Sequence, residues 1–305
     1  MTAHPEKPSQ VSIQAAHSRV ADINRVLLGE ADQSANPVAA ATLFRGAVNQ
    51  GNGAAAERLA ALAARGMNRE ANWTEAVGWL AKAADLGDAA AQGQILALLG
   101  VGAAPADATW LELARRIDMK GLLTAPALAK VHESPAIALI EGLATPGMCR
   151  WLIGRGAGRP ATGFGLADTD VVLVLIQKRL ELASGLKMIQ QEAPRVQSYQ
   201  VEQGDEAHVD FLAPGDTSQR DSDMVGQRVA TCLTWLNDDY EGGETAFLKI
   251  DWKHKGRAGD SMLFLNVRSS DRKPDPMSLH AGMPVTGGRK WLLSQWVRDK
   301  AQPIV

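Results

Sequence analysis

Cysteine is nearly absent: Cys149 and Cys232 are the only two in 305 residues, and they lie far apart and outside any metal-ligand spacing. Neither a disulfide framework nor a zinc knuckle can be built from them, and a reducing cytoplasm is the natural compartment. An excess of charge of one sign is also missing. With a formal net charge of -2, the chain has no basic footprint for a nucleic-acid partner held through phosphates. Long apolar runs are missing as well: no window approaches the roughly eighteen residues of a membrane span, and the opening MTAHPEKPSQ has no signal-peptide core. A cytoplasmic protein with no membrane partner is expected. Its length and 46% hydrophobic content suffice for two domains with a sizeable core.

Histidine is scarce too, and its placement is informative. The six are His4, His17, His132, His208, His254 and His280. In QSYQVEQGDEAHVDF, residues 197–211, His208 and Asp210 stand two apart, and on an extended strand that spacing puts both side chains on one side. A further histidine would complete a 2-His-1-carboxylate triad, which suits non-haem Fe(II). Only His280, in PMSLHAGMPV, lies on a strand-like edge of the same region, 72 residues later. Taken alone such a histidine is more often a hydrogen-bonded core residue; its pairing with the His-x-Asp strand changes that weighing. His254 sits between Lys253 and Lys255 and reads as an exposed turn, and His132 with Lys130 as a solvated linker. Ten residues after His280 comes Lys290, in GGRKWLLSQWV, where Lys290, Ser294 and Trp296 share one strand face. If that face is interior, the buried cation needs an anionic partner such as a ligand carboxylate, with Ser294 adding a hydrogen bond. If it is not, Lys290 is a surface lysine beside Arg289.

In chain order, residues 1–12 read as a flexible tail. Residues 13–102 are Ala-rich and helical, and a shift of 36 residues superposes Ala40 on Ala76, Ala47 on Ala83, Gly51 on Gly87 and Gly66 on Gly102. Small residues at fixed places allow close helix pairing, with Phe44, Leu59, Trp79, Leu80 and Ile95 as larger knobs: a helical-hairpin solenoid. NWTEAVGWLAKAADLGDAAAQ, residues 72–92, resembles the Sel-one-like branch of tetratricopeptide-type repeats, which implies either partner binding or packing on a second domain. Residues 103–135 read as a connecting helix over 107–119 plus a linker, and a helix from about 168 to 184 ends at Gly185. After Val196 come short runs rich in β-branched and aromatic residues, split by Gly, Pro and Asp, as in an antiparallel sandwich or barrel. The expected fold class is α+β multidomain: a helical repeat solenoid, then a double-stranded β-helix, or jelly roll, with flanking helices over 136–300.

Tyr199 with His208 and Asp210, GQRVATCLTWLND (226–238), GGETAF (242–247), GRAGDSMLFLN (256–266), SLHAGMPV (278–285) and GRKW (288–291) follow one another in order. In this the segment 136–300 resembles the prolyl 4-hydroxylase family of Fe(II)- and 2-oxoglutarate-dependent dioxygenases. The resemblance implies that His208, Asp210 and His280 ligate Fe(II) and that Lys290 holds the distal carboxylate of 2-oxoglutarate. It assigns Tyr199, Ser294 and Trp235 to the cosubstrate pocket. Arg228, Asp205 and Glu206 become candidate substrate contacts, with a salt bridge to a loop acid the other reading of Arg228. It further implies oxygen as co-reactant, succinate and carbon dioxide as products, ascorbate as a supporting reductant, and a protein or peptide substrate recruited through the helical repeats. A free amino acid or small metabolite as substrate, or an inactive interaction module, are the competing expectations. The segments 211–227 and 268–277 are expected to be lids. The chain departs from the family pattern where Glu202 replaces a usual Gly, Asp205 a usual Tyr, and Trp235 another Tyr.

Overall fold

The computed structural model describes residues 10–28, 35–67, 69–157, 170–212 and 225–302, with side chains from residue 18 onward. Residues 1–9 of the expected tail and 213–224 of one expected lid lie outside the described residues. The chain divides into two compact units; the first takes the described residues up to 119 and 170–175, the second those of 120–157 and 176–302.

The first unit is helical because each helix has its own start signal. After α1 (Gln10–Leu28) come α2 (Pro37–Val48), α3 (Gly53–Arg65), α4 (Trp73–Asp85) and α5 (Ala89–Leu99). From α2 to α4, and from α3 to α5, the offset is the 36 residues that separate Pro37 from Trp73 and Gly53 from Ala89. The side chains of Asn36, Asn52, Asn72 and Asp88 each accept the backbone N–H three residues on, at 2.8–3.0 Å. Such a bond satisfies a donor that the first helical turn leaves open. Gly51 and Gly87, at φ +84° and +85°, make the same left-handed turn within each hairpin. Fully buried Ala40, Ala47, Ala56, Ala60, Ala76 and Ala83 let the helices close on Phe44, Leu80 and Ile95. Trp79 is only half-buried, with its indole N–H on Glu75. The expected match of Gly66 with Gly102 slips by two, since α5 is shorter than α3 and its left-handed cap is Gly100. The helix expected over 107–119 is confined to α6 (Trp110–Arg115), started by a reciprocal capping box between Thr109 and Glu112. A short α7 (Met119–Leu122) follows.

The second unit is an antiparallel β structure. Its six-stranded sheet has the order β1-β2-β9-β5-β12-β3, from β1 (Leu128–Glu133), β2 (Ala136–Ile140), β3 (Arg195–Tyr199), β5 (Arg228–Trp235), β9 (Ser261–Leu265) and β12 (Lys290–Arg298). A four-stranded sheet follows the order β4-β10-β7-β8, from β4 (Asp205–His208), β7 (Thr245–Phe247), β8 (Trp252–His254) and β10 (His280–Gly282), while β6 (Glu241–Gly242) pairs with β11 (Val285–Gly287). α8 (Pro146–Gly156) is capped by Thr145, and within α9 (Val171–Ser184) Arg179 bonds the carbonyls of Gly142 and Leu143 while Gln177 donates to Gln295 of β12.

Two expectations are corrected here. Residues 128–133 are not linker but an edge strand: Lys130 pairs with Ala138 and His132 with Ile137. His254 is not in an exposed turn. Its ring stacks on Trp252 and meets the edge of Trp235, because β8 closes the four-stranded sheet over the core. Of the segment expected as a second lid, 268–275 is a tight hairpin in which Arg268 pairs with Asp271 and bonds Lys273. Among the described residues no helix is long and apolar enough to cross a membrane.

The core lies between the two sheets, where Trp235, Leu233, Met262, Phe264 and Leu292 of the larger sheet meet Phe247 of the smaller. Phe247 and Phe264 pack edge to face with centroids 5.1 Å apart. Gly256 is required beside Trp235, since a Cβ there would stand 2.8 Å from two indole carbons of a side chain with no room to move. Gly256→Ala is therefore expected to lower the unfolding free energy by about 1–3 kcal/mol, read from urea denaturation. An unchanged midpoint would show this contact to be slack.

Candidate active site

The site grows out of the pairing of β4 with β10. Their antiparallel register sets His280 directly opposite His208, with ring centroids 4.4 Å apart. Asp210 falls just beyond the end of β4, yet it lies on the side expected from the two-residue spacing. Its Oδ1 is 3.6 Å from His208 Nε2 and its Oδ2 is 3.8 Å from His280 Nε2. One donor atom from each of the three lies within 4.8 Å of the others, and this is the sole such group among the described residues. His208 is at the mouth with 43% of its side chain exposed, whereas Asp210 and His280 are each 6% exposed.

Three features suit this group to a metal ion. His208 Nδ1 is 2.8 Å from the Glu206 carbonyl and His280 Nδ1 is 2.9 Å from the Ser278 carbonyl. A carbonyl oxygen only accepts, so both Nδ1 atoms carry the proton and both Nε2 lone pairs are free for a ligand bond. Burial holds the His280 pKa below its ordinary value, with the Asp210 charge opposing, which favours the neutral imidazole a metal needs. Asp210 Oδ2 accepts a 2.6 Å bond from Thr231, whose oxygen accepts in turn from Asn266 at 2.9 Å. That relay fixes the carboxylate, with Oδ1 toward His208 and Oδ2 toward His280.

The three residues open into a cavity of about 440 Å³ whose wall is shared by β12 and β3. Lys290, Leu292, Ser294 and Trp296 all line it, as the strand period requires, and Tyr199, Gln197 and Arg195 line it from the neighbouring strand. Lys290 is 3% exposed, donates to the Gly243 carbonyl at 2.8 Å, and stands 5.2 Å from the centre of the Tyr199 ring. Burial lowers its pKa to about 8, against the opposing fields of Asp205 and Glu244. The Tyr199 hydroxyl donates to Asp205 Oδ2 at 2.6 Å; burial first, then this bond, pushes its pKa far up. Ser294 donates to Gln197. Asp205 and Glu206 line the cavity as well. Glu202 holds φ +70°, a left-handed conformation, which accounts for the glycine usual in the pattern it departs from.

Two expected site residues do not line the cavity. Trp235 shares a β5 face with Thr231 and Leu233 but lies at the strand end, where the core closes over it completely. Arg228 is held by Glu192 through bonds of 2.7 and 2.9 Å, with its guanidinium 4.5 Å from the Trp296 ring centre. That is the salt bridge which was the other reading of this residue. Sequence reasoning missed Thr231, Asn266 and Gln197. The first two sit inside blocks already singled out, 226–238 and 256–266, and Thr231 is in phase with Leu233 on β5.

No family model matches the chain. Prolyl 4-hydroxylase 1 of Arabidopsis thaliana is 33% identical over 207 residues, which cover 56% of this chain and 71% of that protein. The chain belongs to the prolyl 4-hydroxylase family. A putative prolyl 4-hydroxylase of Acanthamoeba polyphaga mimivirus is 39% identical over 88 residues, 28% of this chain and 36% of that protein. Several further prolyl 4-hydroxylase relatives are spanned over about half their length, 48–54%. Among solved structures, the viral collagen prolyl hydroxylase of Paramecium Bursaria Chlorella virus-1, as a 2OG complex, aligns at 27% identity over 53% of this chain and 94% of that one, with a TM-score of 0.43.

In this family member the Thr231–Asn266 relay carries a prediction of its own. Thr231→Val or Asn266→Ala is expected to weaken divalent-metal binding by roughly tenfold or more, measured by titration with Fe(II) under anaerobic conditions. Affinity equal to that of the unsubstituted protein would mean that Asp210 needs no such support.

Proposed function

We propose that the chain is an Fe(II)- and 2-oxoglutarate-dependent dioxygenase that hydroxylates prolyl residues of a protein or peptide, on a double-stranded β-helix. The observation that carries this is one cavity bearing both a 2-His-1-carboxylate group and a buried lysine. His208 and His280 would hold the iron through Nε2, and Asp210 through its carboxylate. When bound, the iron with 2-oxoglutarate and oxygen supplies the oxidation that hydroxylates a C–H bond and releases succinate and carbon dioxide. Thr231 and Asn266 keep the Asp210 carboxylate in place. Lys290 pairs with the distal carboxylate of the cosubstrate, a strong interaction in a cavity where Leu233 and Leu292 exclude water. The α2–α3 and α4–α5 hairpins serve as Sel-one-like repeats that recruit the protein substrate.

His280→Ala is expected to abolish succinate formation with proline-rich peptides, and with it the gain of one oxygen atom seen by mass spectrometry. Full activity in this variant would sink the assignment, and oxygen gained by a free amino acid alone would move the substrate to small molecules. A second expectation concerns pH. The Lys290 amine loses its proton near pH 8 in the free protein, so binding a dianion above that pH requires proton uptake. The KM for 2-oxoglutarate should therefore rise as pH increases beyond about 8; a flat KM would remove Lys290 from the anchor role.

A further inference from the structure

We propose that Asp205 occupies the anion-binding end of the cavity from within the chain, so that the acidic cosubstrate binds in competition with this carboxylate. The inference rests on the reading of Lys290 as the cosubstrate anchor. It stands on geometry that surrounds that lysine.

Asp205, Tyr199 and Lys290 line the same cavity, with the ammonium group above the Tyr199 ring. The Tyr199 hydroxyl donates a hydrogen bond to Asp205 Oδ2 at 2.6 Å. A phenol has one proton to donate, and a dicarboxylate can only accept, so an incoming carboxylate finds this donor already engaged. Asp205 is also the carboxylate that most favours the charged form of Lys290. With the weaker field of Glu244 it therefore stabilises a buried cation, and the same negative charge repels a dianion. The placement is built into the sheet: Asp205 pairs with Gly282 of β10, and a Cβ at Gly282 would stand 3.1 Å from the Asp205 backbone nitrogen and 3.4 Å from its Oδ2. A side chain there would crowd the carboxylate.

Two consequences follow for binding. Removing the charge while keeping the shape, by Asp205→Asn, should tighten binding of 2-oxoglutarate. The gain should be much smaller for pyruvate, which has the 2-keto acid group but no distal carboxylate to meet Lys290.

The test is calorimetric titration of the full chain, loaded with Mn(II) in place of iron and kept free of oxygen, with each of the two acids. Thermal melting checks that Asp205→Asn folds as the parent does, and Asp205→Glu, which retains the charge, serves as a second variant. The expected result is 2-oxoglutarate affinity about three- to tenfold higher in Asp205→Asn, with the gain shrinking as salt is raised. Asp205→Glu should show no gain. Equal or weaker binding by Asp205→Asn, in a protein whose parent binds 2-oxoglutarate, would overturn this inference and leave the cosubstrate reading standing. An equal gain for pyruvate would overturn it too, since Asp205 would then act away from the Lys290 end. If neither parent nor variant binds 2-oxoglutarate, the cosubstrate reading fails and takes this inference with it.

Discussion

The register between β4 and β10 is the constraint on which the site depends. His208 and His280 belong to segments 72 residues apart, and only their direct opposition across one antiparallel pair brings both imidazoles to the same carboxylate. A slip of one residue would turn His280 to the other face of the sheet. The register is held from behind, because the His280 ring packs 4.8 Å from Phe264 and 5.7 Å from Phe247, so this imidazole is also a piece of the core. The His208, Asp210 and His280 group and the hydrophobic interior are in this sense one construction.

The same interior explains why the polar residues of the site come in chains. A buried charge or hydroxyl is tolerated when each of its bonds is met. Asp210 leans on Thr231 and Thr231 on Asn266; Lys290 leans on Gly243 and the Tyr199 ring, and Tyr199 on Asp205. One relay keeps a carboxylate aimed at two imidazoles. The other holds a cation and an acid in the same cavity, where their balance governs what anion can enter.

Legibility in the sequence followed the range of the forces involved. The helical hairpins were readable because their signals are local: Gly51 and Gly87 in the turns, and alanine recurring where helices touch. Where the local signal was overlooked, the reading failed. The Thr109-x-x-Glu112 capping box starts α6 later than apolar spacing suggested, and Gly100 ends α5 two residues ahead of the repeat. In the β unit the period-two rule placed Lys290, Ser294 and Trp296 on a common face correctly. It did not reveal that Trp235, also in phase with cavity residues, lies where the core seals, nor that Glu192 captures Arg228 from 36 residues away.

The sequence by itself determined the His-x-Asp spacing, the strand face of Lys290 and the helical period, because each depends on residues close in the chain. Only the tertiary structure decided that His208 and His280 stand directly opposite across one strand pair, that residues 128–133 add an edge strand, and that Asp205 accepts the Tyr199 hydrogen bond. Those outcomes depend on which strands become neighbours, and strand pairing is set by the burial of a whole sheet face, a property of no single segment.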